Sequence, residues 1–63
     1  MKKKEAWMFI GAIVLALGEK AVITKMQENK IDGVDYVYYI NCKVEGEKHD
    51  GRYHPSDIQE LKA

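Results

Sequence analysis

Apolar residues crowd the first quarter of the chain and then thin into alternation. Residues 6–17 are apolar throughout except for Gly11. Trp7 and Phe9 are two apart, which sets both rings on one side of an extended segment. Gly11 marks a bulge or a close backbone approach. Residues 13–17, Ile-Val-Leu-Ala-Leu, are apolar on both faces. They read as a strand because of Ile13-Val14, the flanking glycines and the short length, although alanine and leucine also suit a helix. A turn at residues 18–20 leads to a second strand over 21–27. There Val22, Thr24 and Met26 lie on one face and Ala21, Ile23 and Lys25 on the other. Residues 28–33 carry no apolar pattern and are expected to form an exposed polar loop ending in the turn dipeptide Asp32-Gly33.

Residues 34–45 give the clearest strand. Tyr36, Tyr38, Ile40, Cys42 and Val44 alternate with Val37, Tyr39, Asn41 and Lys43. The first set is expected to face the core and the second the solvent. After a turn at Glu45-Gly46-Glu47, residues 48–54 form a polar edge strand. Pro55 ends it and opens a single 3₁₀ turn through Ile58. A last short strand over residues 59–62 returns Leu61 to the core. These elements make one all-β domain over residues 1–63, with residues 1–8 as a flexible or edge-strand arm.

Bulk numbers limit the rest. A chain of 63 residues buries about 60% of its unfolded surface, and its core supplies roughly 3–5 kcal/mol. The single cysteine allows no internal disulfide and points to a reducing, cytoplasmic setting. Ten basic residues balance ten acidic ones, so the surplus typical of a nucleic-acid binder is missing. Lys2-Lys3-Lys4 before the apolar run, with Ala16-Leu17-Gly18 after it, also has the outline of a secretory signal. Glu5 in the leader speaks against that, as does the small remainder left after cleavage. The apolar run is too short to span a membrane, which takes about 20 residues.

The opening Gly11-x-x-Val14-x-Ala16-x-Gly18-x-x-x-Val22-Ile23 resembles the start of SH3-like small barrels of the KOW and Tudor type. Tyr53-His54-Pro55-Ser56-Asp57-Ile58, followed by Gln59-Glu60-Leu61, resembles their closing segment. The resemblance covers roughly residues 9–61. It implies a five-stranded barrel with a 3₁₀ turn before its last strand, of a kind found in many small bacterial and phage proteins. It also implies a role in binding peptides, proteins or nucleic acid.

Candidate chemistry is sparse. Cys42, His49, Asp50 and His54 lie close in sequence, but they lack the spacing of a zinc site. Cys42 falls in the inward set, where a free thiol is inert. No catalytic, cofactor-binding or metal residue is assigned, and an enzyme is not expected. The candidate partner surface is Tyr39, Lys43, Lys48, Arg52 and Trp7. The expected function is a non-catalytic interaction module for a protein partner. The alternatives are a nucleic-acid-binding barrel, which needs Lys20, Lys25, Lys43, Lys48 and Arg52 on one face, or an exported protein with residues 1–18 as its signal. Because one small barrel cannot hide both faces of residues 13–17, something must cover the outer one. Either residues 7–10 fold back over it, or a second copy does so through Ile13, Leu15 and Leu17.

Overall fold

Two tight turns set the architecture. Leu17 and Gly18 both take positive φ, +50° and +83°, between the paired residues Ala16 and Glu19. Asp32 and Gly33 do the same, at +50° and +79°, between Ile31 and Val34. Positive φ at both central residues is what a two-residue type I′ hairpin requires, and its twist matches that of the flanking strands. The first turn thus falls one residue earlier than the sequence suggested, because Leu17 itself takes the left-handed position.

A computed structural model describes residues 1–61. The strands are β1 (Lys2–Lys3), β2 (Ile13–Ala16), β3 (Glu19–Ile31), β4 (Val34–Val44), β5 (Gly51–Tyr53) and β6 (Ile58–Glu60), with a 3₁₀ turn at Pro55–Asp57 before the last. All pairings are antiparallel. The sheet runs β1-β4-β3-β2-β6, and β5 also pairs with β4. It curls into an all-β half-barrel of the SH3-like kind, with the 3₁₀ turn where the sequence suggested it. The 3₁₀ turn is capped by His54, whose Nδ1 accepts from the Ser56 N–H at 3.1 Å, and Pro55 stands at its first position. The expected strand over 59–62 begins at Ile58 instead; its last position, Lys62, lies outside the described residues.

The expected loop over residues 28–33 is strand as far as Ile31. Glu28, Asn29 and Lys30 pair with Val37, Tyr36 and Asp35. Cross-strand polar contacts hold this end: Lys30–Asp35 at 4.0 Å and Asn29 Nδ2 donating to Tyr38 Oη at 3.2 Å. Beyond the barrel both faces of the hairpin meet water, so polar residues suffice and the sequence shows no alternation. The arm strand β1 lies on the outer edge of β4 at Tyr36 and Val37. The same edge is taken by β5 at Ile40, Asn41 and Cys42.

Two bulges reset the alternation. In β4, Tyr39 pairs with Gln27 and Val37 with Glu28, leaving Tyr38 as the extra residue. Val37 is therefore buried, Tyr36 half-buried and Tyr38 exposed. This corrects the expected inward Tyr36 and Tyr38 and outward Val37. Beyond the bulge, Ile40, Cys42 and Val44 are buried as expected. In β3, Thr24 is the extra residue between Ile23 and Lys25. Ala21 and Ile23 face the core before it and Met26 after it, so Lys25 turns outward.

Residues 5–12 are not a strand. Met8 N–H donates to the Glu5 carbonyl at 2.9 Å, and Ala12 N–H to the Phe9 carbonyl at 3.0 Å. These two turns drive Met8 and Ala12 into the core with Val14, Ala16 and Ile58. Phe9 and Ile10 are left exposed. The segment therefore plugs the inner face of the sheet and does not cover its outer face.

Candidate functional site

Residues directly opposite in an antiparallel pair share a face. The register pairs Lys43 with Val22, Lys25 with Asn41 and Gln27 with Tyr39, while Arg52 pairs with Asn41 and Lys20 with Leu15. All of these point away from the core. One outer face thus carries Lys20, Lys25, Lys43 and Arg52 around Asn41 and Tyr39. Three of the five expected surface residues, Tyr39, Lys43 and Arg52, meet here. Lys48 stands exposed in the adjoining β4–β5 loop. Trp7 is elsewhere: it is half-buried against the core, in a shallow groove between the arm and β6 lined by Lys2, Glu5 and Ile58. Lys25 was hidden from simple alternation because the Thr24 bulge moves it. The signal was a lysine standing in an apolar phase just before Met26.

The Arg52 guanidinium lies 4.2 Å from the centroid of the Tyr39 ring, a cation–π contact worth about 0.5–1 kcal/mol at a surface. It covers one face of the tyrosine. Among the described residues the ion pairs are Lys2–Glu5, Lys4–Glu28 and Lys30–Asp35. All lie on the arm or the outer end of the long hairpin. None uses Lys20, Lys25, Lys43, Lys48 or Arg52. The ion pairs thus gather at one end of the molecule, while on the barrel face the basic groups make none, with Glu45, Glu47 and Asp50 at its margin.

Between Lys20 and Lys43 lies a groove of about 420 Å³ floored by Ala21, Val22 and Val44, with Glu45 and Glu47 at its far end. The loop beyond is pinned at the bulge. Thr24 Oγ1 is 2.7 Å from Asp50 Oδ2 and 3.2 Å from the Asn41 carbonyl. Both are acceptors, so its one proton serves the shorter. Asn41 Oδ1 is buried with no hydrogen-bond partner among the described residues. Behind this face Cys42 is fully buried. Burial, and then the charge of Asp50, push its thiol up to about 11, which leaves it protonated and unreactive. His54 is occupied as the cap of the 3₁₀ turn, 2.6 Å from Ser56 Oγ. Among the described residues no group of three or more His, Cys, Asp or Glu converges in metal-binding geometry. No helix among them is long and apolar enough to cross a membrane.

No family model, no curated protein and no solved structure matches this chain.

Proposed function

We propose that the protein is a cytoplasmic, non-catalytic interaction module that docks a protein partner on the outer face of β3, β4 and β5. One observation carries the reading: Lys20, Lys25, Lys43 and Arg52 share a face on which no ion pair among the described residues neutralises them. An acidic partner segment supplies the missing charge. The apolar-floored groove between Lys20 and Lys43 adds a seat for an apolar side chain of that segment, which favours a peptide over a polyphosphate. The cytoplasmic setting is supported by the single buried thiol. The test is a pull-down from the native host, followed by direct titration of the recovered partner. The double variant Lys43→Glu/Arg52→Glu loses the partner while its circular dichroism stays unchanged, and wild-type affinity falls with added salt. Equal affinity of the two proteins would sink the proposal.

The same four basic residues favour a second reading, a nucleic-acid-binding barrel of the KOW or Tudor type. Against it stand the balanced overall charge and the Tyr39 face already covered by Arg52, which is not free to stack on a base. Four phosphate contacts give a log–log salt slope of about −3 to −4. An oligonucleotide mobility shift with that slope would move the proposal to this reading.

A further inference from the structure

The sheet leaves one long edge open. On the side away from β4, β3 has partners only as far as Ile23. Residues 19–22 pair with β2, and Ile23 bonds Gly11 and Ala12 at 2.8 and 2.9 Å. From Lys25 to Ile31 that side meets no strand among the described residues, and residues 27–31 are all exposed. The far side of β4 is by contrast taken by β1 and β5. Ile31 and Val34 flank the two-residue turn and so exchange hydrogen bonds with each other. Alternation back along β3 therefore turns the N–H and C=O of Lys30, Glu28 and Met26 to the open side. The Lys30 N–H accordingly donates to the neighbouring Asn29 Oδ1, at 2.9 Å.

We propose that a second copy of the chain adds its own β3 to this edge, antiparallel, about a two-fold axis at Asn29. Charge and register select this occupant. In an antiparallel pair, residues that face the partner strand stand opposite residues that do the same, so a two-fold axis must fall on a residue. An axis at Met26 or Gln27 would lay the second copy's Ile31 at or before Ile23, where Gly11 and Ala12 already sit. An axis at Glu28 sets Glu28 against Glu28, and one at Lys30 sets Lys30 against Lys30, both like-charge pairs. An axis at Asn29 clears β2 and sets Glu28 of each copy against Lys30 of the other, in hydrogen-bonded positions on one face. Lys30 N–H then passes from Asn29 to the second copy's Glu28 carbonyl. Glu28 already touches Lys4 at 2.8 Å, and a carboxylate accepts from two ammonium groups at once. Charges of alternating sign make this edge a poor template for other strands, yet complementary to itself. The contact uses an edge of the sheet and does not draw on the basic face.

The experiment is sedimentation of the full chain from about 10 µM to 1 mM, a range suited to a short interface. The wild type is expected to move from 7.2 kDa to twice that mass. Glu28→Lys and Lys30→Glu each set like charges opposite one another, and each raises the dissociation constant at least about tenfold. Both changes fall on exposed side chains, and both variants stay folded by circular dichroism. An equimolar mixture of the two restores the dimer, because each supplies the charge the other lacks. Amide exchange at Glu28 in the wild type slows as concentration rises, while that at Met26, opposite the second copy's turn, does not. A wild type that stays monomeric throughout overturns the proposal. So does a dimer that survives either single change, which joins through another surface such as the outer side of β2, and so does a mixture no more dimeric than its parts.

Discussion

Replacing Met8 by alanine tests the plug that the first turns deliver into the sheet. Met8 is 1% exposed and packs among the core side chains of β2, β3 and β6. Truncating a buried methionine costs about 2–5 kcal/mol, part lost transfer and part residual cavity. The Glu5 N–H also loses the Met8 sulfur at 3.4 Å, but it lies near solvent and water replaces that contact. A chain of this length has about 3–9 kcal/mol of stability in total, so the variant loses a large share of it. Phe9→Ala is the control. Phe9 neighbours Met8 in sequence but is more than half exposed, and its truncation costs less than about 1 kcal/mol. The assay is urea unfolding at low micromolar protein, read by the fluorescence of Trp7, which packs against the same core. With a slope near 1 kcal/mol/M, Met8→Ala lowers the midpoint by about 2 M or more. If its midpoint is no lower than that of Phe9→Ala, residues 5–12 do not enter the core and the fold described here is wrong.

Three further outcomes are expected. Gly33→Ala costs about 1 kcal/mol in thermal unfolding, all of it backbone strain: φ is +79° and an added Cβ would meet no atom within 4 Å. The Cys42 thiol, with its folded pKa raised to about 11, is slow to react with a disulfide reagent at pH 8 until the protein is unfolded. A raised acid pKa contributes stability below the ordinary thiol value that is lost as pH rises through about 11, so the denaturation midpoint falls over that window in the wild type and stays flatter in Cys42→Ala. Thr24→Val removes the donor to Asp50 at a cost of about 0.5–1.5 kcal/mol. Amide exchange at Gly51 and Cys42 then quickens as the β4–β5 loop comes loose.

Where side chains alternate against a single core, the sequence was legible. Ile40, Cys42 and Val44 read correctly as one face of β4. Asp32-Gly33 and Pro55 marked their turns by backbone chemistry alone. Two kinds of information were missing. A bulge adds one residue and moves every later side chain to the opposite face. Nothing in Thr24 or Tyr38 by itself announces one, so the phases of Lys25 and Val37 were misread. Apolar runs without a period were also ambiguous: residues 5–12 encode two turns around a buried Met8, and the run records only that something is apolar. The basic face followed the same pattern. Tyr39, Lys43 and Arg52 were identified from their places on β4 and β5. Their gathering with Lys25 depends on the bulge, and the placing of Trp7 apart from them depends on the turns.

The sheet joins near and distant parts of the chain very unequally. The long hairpin closes at Asp32-Gly33, and each rung after the first brings together residues only slightly further apart in sequence. The seam between β2 and β6 instead unites Val14 with Glu60, about three-quarters of the polypeptide apart. Searching for that partnership costs far more chain entropy than zipping the hairpin. Refolding should therefore show β3–β4 assembling early, with the arrival of the final strand beside β2 setting the overall rate.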